Sequence, residues 1–222
     1  DGSLWCWGWN RYGQLGIGIK SDSSELVMVA EEVSYVNVGQ CHSMMIKNGI
    51  LYATGGNFVG QFGNGTETDT TDFIKIEEDV TSASIGDLHT FMIKDGNLYA
   101  TGNNQCGQLG NGTFDRILSF TQITSMVSSV SAGLYHTMII KDNGSLYGAG
   151  SNTFGQLGIG TISESEPSFI FVMSDVSSVS TNYSHTMIIK KDGTLWATGF
   201  NKYGQLGIGT YENVVKPVLV KF

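Results

Sequence analysis

Basic residues are scarce and scattered. Lysine and arginine total 12 against 20 aspartates and glutamates, for a net charge of −8, and no cluster of them forms the basic patch that a nucleic-acid binder carries. An acidic surface instead suits solubility, or a basic protein partner reached with electrostatic help. No apolar run approaches the length of a membrane span. No segment keeps an apolar i, i+3, i+4 pattern between a cap and a stop, so helices are not expected. Cysteine is limited to Cys6, Cys41 and Cys106. Cys6 aligns with Ala53, Ala100, Gly148 and Ala197 of the repeat described below, and Cys106 with Tyr12, Val59, Phe154 and Tyr203. These cysteines read as small or apolar filler rather than a disulfide ladder or a metal site. No unique nucleophile–base pair, metal cluster or phosphate loop stands out. The expectation is a non-enzyme with no cofactor, no metal, no nucleic acid and no membrane among its ligands. No signal peptide is visible, although the chain opens at Asp1 without a Met. An extracellular or cell-surface setting is favoured over the cytoplasm.

Glycine, in contrast, is abundant and periodic. There are 30 glycines against two prolines, and they recur at fixed offsets, which separates this chain from a disordered linker. The clearest element is Gly13-Gln14-Leu15-Gly16, repeated as Gly60-Gln61-Phe62-Gly63, Gly107-Gln108-Leu109-Gly110, Gly155-Gln156-Leu157-Gly158 and Gly204-Gln205-Leu206-Gly207. The glutamines lie 47, 47, 48 and 49 residues apart. That period marks one supersecondary unit repeated along the chain, and argues against two conventional domains.

The third copy shows the unit most plainly. It reads Phe120 to Ile123, Val127 to Gly133, His136 to Lys141, a turn at Asp142-Asn143-Gly144, Ser145 to Gly150, and a long segment through Gly155-Gln156-Leu157-Gly158. Runs of β-branched and aromatic residues bounded by Gly, Asn and Asp predict strands. Asn48-Gly49 and Asp95-Gly96 predict two-residue hairpins, because such turns need positive φ. Four short antiparallel strands in about 50 residues are the pattern of a propeller blade. The small residues of Val-Ser-Ser-Val-Ser-Ala-Gly suit a hub where blades converge. His42, His89, His136 and His185 recur three residues after Gly39, Gly86, Gly133 and Asn182. A catalytic histidine is needed once, so four copies predict a structural, buried imidazole bonded to backbone. The Asn in place of Gly suggests a left-handed backbone position.

The run Leu-Tyr-x-x-Gly-x-Asn-x-x-Gly-Gln-Leu-Gly-x-Gly-Thr, followed by Val-x-x-Val-x-x-Gly-x-x-His-Thr, resembles the regulator of chromosome condensation repeat over essentially the whole chain. The resemblance implies an all-β fold, a β-propeller that is most often seven-bladed and binds proteins through one face of the disc. Its members include a nucleotide exchange factor for a small GTPase, a plant ultraviolet-B photoreceptor and bacterial propeller-type β-lactamase inhibitors. The photoreceptor's tryptophans have no counterpart here, since the residues before His are Gln40-Cys41, Asp87-Leu88, Leu134-Tyr135 and Tyr183-Ser184. The expected division is a single repeat array over 1–222, with a partial blade at 1–25 and blades at about 26–66, 73–113, 120–161 and 169–210. Residues 214–222 are expected to form the first strand of a further blade. Matching the two ends to the repeat suggests a segment about two blades short of a seven-membered ring.

Function is expected at the loops before each His and around each motif Asn, where the copies differ most. Aromatic anchors there would be Trp9, Phe58, Tyr135, Tyr183 and Phe200. Tyr12, Phe154 and Tyr203, which recur before Gly-Gln, are assigned to packing, as are Trp5, Tyr52, Tyr99, Tyr147 and Trp196. Gln14, Gln61, Gln108, Gln156 and Gln205, with the four histidines, are assigned to the framework. The polar linkers at 67–72, 114–119 and 162–166, and Glu77-Glu78-Asp79, lack calcium-loop spacing and read as solvated surface. The sequons Asn64-Gly65-Thr66 and Asn111-Gly112-Thr113 arise from the repeat itself. A protein-interaction module, with enzyme inhibition as one form, is the leading reading, and guanine nucleotide exchange on a small GTPase is the alternative.

Overall fold

Every regular element is a β-strand in the computed structural model, which describes residues 1–221. The strands are β1 (Leu4–Gly8), β2 (Ser23–Ala30), β3 (Val33–Val38), β4 (His42–Lys47), β5 (Ile50–Gly55), β6 (Thr70–Glu77), β7 (Ser82–Ile85), β8 (His89–Lys94) and β9 (Asn97–Gly102). They continue with β10 (Ile117–Ser125), β11 (Val127–Ala132), β12 (His136–Lys141), β13 (Leu146–Asn152), β14 (Ser163–Met173), β15 (Val176–Thr181), β16 (His185–Lys190), β17 (Leu195–Gly199) and β18 (Val214–Leu219). Four sheets each contain four consecutive strands, β3–β6, β7–β10, β11–β14 and β15–β18, while β1 pairs with β2 in a two-stranded sheet. The pairing is antiparallel, as in the run His42↔Gly55, Met44↔Ala53, Ile46↔Leu51.

The sheets begin and end one strand later than the sequence units. The stretch placed first in each unit, such as Phe120 to Ile123, is the outer strand of the preceding sheet, where β10 lies beside β9. The sheets therefore span 33–77, 82–125, 127–173 and 176–219, rather than the expected blades at 26–66, 73–113, 120–161 and 169–210. β18 completes the sheet of β15–β17 instead of opening another, and the first sheet extends past residue 25 to Ala30. The physical reason is edge availability. One edge of β5 is taken by β4, and the long loop after Gly55 lets the chain return to the free edge, pairing Ala53 with Ile74 and Tyr52 with Lys75.

The chain divides into two compact units, residues 1–103 with 116–122, and residues 104–115 with those from 123 onward. The first unit's core joins Met44, Ile46, Leu51 and Phe62 to Val80, Ala83, Ile85 and Met92, so it lies between adjacent sheets. In the second, Met138, Ile140, Leu146 and Leu157 meet Val176 and Ile188 in the same way. The apolar residue of each Gly-Gln-Leu-Gly loop is buried, and Phe62 and Leu157 lie in these seams. Each such side chain contributes about 1.5–3 kcal/mol of burial.

Turn chemistry follows the sequence at the hairpins. Asn48 and Gly49 have φ of 51° and 75°, and Asp95 and Gly96 have 51° and 70°, as a type I′ turn requires. The connections between successive sheets place non-glycine residues in the same left-handed region, at Glu32, Asp79, Met126 and Asp175. Met126 has φ of 56° and an exposed side chain. Met126→Gly is therefore expected to raise stability by about 0.5–1 kcal/mol, the relief of left-handed strain exceeding the added entropy of the unfolded chain. Urea unfolding would check it, and a lower midpoint would contradict it.

Candidate partner-binding loops

The loop after each Leu-Tyr strand is built around one Asn and one Gln. The Asn57 side-chain carbonyl accepts from the Phe62 amide at 2.9 Å, while its Nδ2 donates to the Thr66 carbonyl at 2.9 Å. Asn10, Asn104, Asn152 and Asn201 accept from Leu15, Leu109, Leu157 and Leu206 in the same way. Each glutamine turns its Oε1 back to the amide two residues earlier, at Tyr12, Val59, Cys106, Phe154 and Tyr203. Each of the five glutamines thus closes its own tight turn. In the sequons, the Asn64 and Asn111 side-chain oxygens accept from the Thr66 and Thr113 amides at 3.1 Å, closing turns of the same loop.

His42 and His136 lock one sheet to the next through a side chain, where a backbone partner was expected. His42 Nε2 lies 3.1 Å from Thr90 Oγ1, and His136 Nε2 lies 3.1 Å from Thr186 Oγ1. Thr90 spends its only hydroxyl proton on the Gln61 carbonyl at 2.8 Å, and Thr186 on the Gln156 carbonyl at 2.7 Å. The imidazole must therefore donate from Nε2, which fixes the neutral tautomer. Burial pushes the pKa of His42 down to about 3. Burial, with the nearby His42, does the same to His89. His185 is only half-buried and less constrained, and burial lowers its pKa. The glycines before the histidines are also explained differently. Gly39 and Gly133 are not left-handed; a Cβ on Gly39 would lie 2.9 Å from His42 Cε1, and one on Gly133 2.7 Å from His136 Cε1. These glycines make room for the ring and for a backbone carbonyl one repeat on, Gly86 at 2.8 Å and Asn182 at 2.6 Å.

The five predicted anchors all sit on loops at the same end of their sheets. Backbone bonds tie the two loops of each end together: Gly56 to the Cys41 carbonyl, Ser151 to Tyr135, and Phe200 to Ser184, each at 2.8–2.9 Å. Trp9, Phe58, Tyr135 and Tyr183 are exposed, and Phe200 is half-buried. In the first unit Trp9 and Phe58 are joined through Tyr12, with ring centroids 5.5 and 5.8 Å apart. In the second, Phe200 bridges Phe154 and Tyr203 at 4.9 and 5.9 Å. Tyr12, Phe154 and Tyr203 thus belong to the aromatic rows, and Tyr203, at 83% exposure, is not a packing residue. The signal available was spacing: Trp9–Tyr12 and Phe200–Tyr203 are three apart on the same tight turn. Tyr52, Tyr99, Tyr147 and Trp196 are half-buried, whereas Trp5 is exposed.

The same ends carry little that is chemically reactive. Cys41 is buried, and burial lifts its thiol to about 11 despite the hydrogen bond from Gln61. Cys6, Cys41 and Cys106 are free thiols, and only Cys41 is buried. Burial raises the carboxyl pKa of Asp87. Among the described residues no group of His, Cys, Asp and Glu is arranged to hold a metal ion.

The family model described as the regulator of chromosome condensation (RCC1) repeat matches residues 1–46, 95–140, 143–189 and 192–222. A second model of that repeat matches 127–156 and 176–205. Among curated proteins, none matches by sequence. Similar solved structures include human WBSCR16, with a TM-score of 0.84 and 23% identity over 96% of this chain and 61% of that one. Yeast RCC1 (Prp20) bound to Kap60 gives 0.85 and 19% over 100% and 57%. Prp20p from Saccharomyces cerevisiae gives 0.86 and 19% over 100% and 59%. The chain spans about three fifths of the length of these proteins. At such identities the likeness establishes the β-propeller fold.

Proposed function

We propose that this chain, which belongs to the regulator of chromosome condensation (RCC1) repeat family, is a non-catalytic module that holds a protein partner on its aromatic loops. The observation that carries this reading is the pair of solvent-facing aromatic rows, Trp9–Tyr12–Phe58 and Phe154–Phe200–Tyr203, at the variable ends of otherwise uniform sheets. Tryptophan and tyrosine bring large contact area at low entropic cost, and dominate interface hot spots. Net charge of −8 favours a partner with basic residues around the aromatic contacts. In the solved structures, yeast Prp20 is bound to Kap60, and Prp20p is described with binding to Gsp1p and histones, which supports a protein as the ligand. Inhibition of an enzyme is one form such binding takes.

The test is capture of partners on the immobilised full chain, compared with Phe58→Ala, Tyr183→Ala and a control at the opposite sheet end, Met126→Ala. Each loop substitution is expected to weaken a captured partner about fivefold to thirtyfold, the effect of losing an interface anchor, while the control leaves it unchanged. Equal capture by all forms would remove the proposal. Accelerated nucleotide release from a captured small GTPase would replace it with the exchange-factor reading.

A further inference from the structure

Three loop glycines are closed over by a phenylalanine, and a fourth is not. A Cβ on Gly16, Gly63 or Gly110 would lie 2.5–2.6 Å from a ring carbon of Phe73, Phe120 or Phe169, each on the outer strand of the next sheet. These rings fill the seams, and Phe120 packs against the core cluster of its unit. Where β18 meets the loop after β13, the corresponding residue is Pro217. Its Cδ and Cγ would stand 3.1 and 3.2 Å from a Cβ on Gly158. A pyrrolidine ring is tied to its own backbone and cannot extend as a benzyl group does. A cavity of about 350 Å³ lies there, bounded by Gly158, Ile159 and Pro217 and by Val172 of β14.

The rest of the lining departs from the repeat in the same direction. Phe171 and Met173 pair with Tyr147 and Leu146, whereas the matching places in β6, opposite Tyr52 and Leu51, hold Lys75 and Glu77. Glu77 reaches across its seam to Lys94 at 2.9 Å, a closure that Met173 cannot make. Phe171 and Met173 both line the cavity. Phe171 is 52% exposed, and its ring is held edge-on to Tyr147 at 5.6 Å. The one charged group in the lining is Lys216. It stands where Asp72, Ser119 and Ser168 meet Gly18, Gly65 and Gly112, and its stem lies over Gly160, with Cε 2.6 Å from the place of a Cβ. Among the described residues Lys216 forms no ion pair.

We propose that this cavity binds a small aromatic carboxylate. The ligand's ring takes the place that Phe73, Phe120 and Phe169 fill elsewhere, against Gly158 and Val172, with Phe171 beside it. Aromatic pairs of this kind add to the gain from apolar burial. The carboxylate meets the Lys216 ammonium at the exposed side. The volume lies at the lower end of the range of small-molecule sites, and a mostly apolar wall with one oriented polar group is their usual composition. The site uses no residue of either aromatic row, so it stands or falls independently of the partner-binding reading.

The probe is phenylacetate, titrated into the full chain by calorimetry, with phenylacetamide as its uncharged counterpart. Saturable binding at one site is expected, about twofold to fivefold weaker for the amide, the effect of an ion pair open to solvent. On Lys216→Gln the acid and the amide should bind alike, because the pairwise contribution is gone. Pro217→Phe should abolish binding of both and raise the urea midpoint, since the ring then comes from the chain itself. The Lys216→Gln comparison decides the matter even where Pro217→Phe does not fold. Absence of saturable binding, equal binding of acid and amide on the native chain, or undiminished binding by folded Pro217→Phe would overturn the proposal. So would tighter binding of a short peptide ending in phenylalanine than of phenylacetate, which would assign the cavity to the end of another polypeptide.

Discussion

Gly63→Ala is expected to destabilise the first unit by about 1–5 kcal/mol, and Gly209→Ala, a substitution of the same type in the same motif, by about 1.5 kcal/mol or less, the difference being about 1–3 kcal/mol. Both glycines are left-handed, with φ of 72° and 78°, so alanine pays similar backbone strain at each, of about 1–2 kcal/mol. A smaller unfolded-state gain of about 0.4–1 kcal/mol opposes it. The difference is what the new methyl meets. At Gly209 nothing lies within 4 Å. At Gly63 a Cβ would fall 2.6 Å from Cε2 and 2.9 Å from Cγ of Phe120, with Cδ2 closer still. Phe120 packs against the cluster containing Phe62 and Met92, so its ring cannot withdraw without opening the core. Overpacking of this kind costs about 1–3 kcal/mol. Urea unfolding of both variants measures the contrast. Phe120→Leu should recover part of the loss in the Gly63→Ala background while destabilising the native chain. Equal losses at the two glycines would show that backbone conformation alone explains the motif.

This contrast also marks what the sequence could reveal. The period, the strand-rich unit and the hairpins were legible because glycine, asparagine and aspartate sit where φ must be positive, as at Asn48-Gly49 and Gly63. The phase of the sheets was not legible. A repeat is unchanged when its origin is moved by one strand, and only the free edge of β5 decides that β6 belongs with it. Gly39 and Gly133 looked like further left-handed positions, yet the cause is crowding by the imidazole and by a backbone carbonyl one repeat on, Gly86 or Asn182, contacts that no local pattern encodes. The histidine's partner was hidden for a related reason: Thr90 lies 48 residues from His42 and Thr186 lies 50 from His136, a full repeat away. For the aromatic loops, recurrence was read as packing, which suited Tyr52 and Tyr147 but not Tyr203. A residue can recur because its turn recurs, while its side chain stays in solvent.

Acid should unfold this chain steeply, beginning well above the range in which ordinary carboxylates titrate. His42 and His89 have folded pKa values near 3, against about 6.5 in the unfolded chain. Between those limits the unfolded state binds more protons than the folded one, so stability rises with pH. The contribution is complete above about pH 6.5 and is lost as pH falls towards 3. Each histidine contributes a slope of up to about 1.4 kcal/mol per pH unit, so the pair removes roughly 5 kcal/mol between pH 6.5 and 4.5. That is comparable with the whole stability of many domains. Asp87 works the other way, because its carboxyl is raised by burial and favours the folded state just above its ordinary range. Its single group cannot offset two histidines over this interval. The cause is geometric as well as dielectric: the ring is enclosed, and the one hydroxyl it reaches, Thr90 Oγ1, has already given its proton to Gln61. A protonated ring would carry a second N–H into a site where Gly39 has removed even a methyl group. Urea unfolding at pH 7, 6 and 5 should show midpoints falling together with the calculated slope, and His42→Gln should roughly halve the dependence whatever it does to stability at pH 7. Imidazole resonances of His42 and His89 should stay neutral down to the onset of unfolding. A flat stability profile from pH 6.5 to 4.5, or titration of either ring near 6.5 in the folded protein, would mean that the inter-sheet seam admits water and that the histidine lock is not closed.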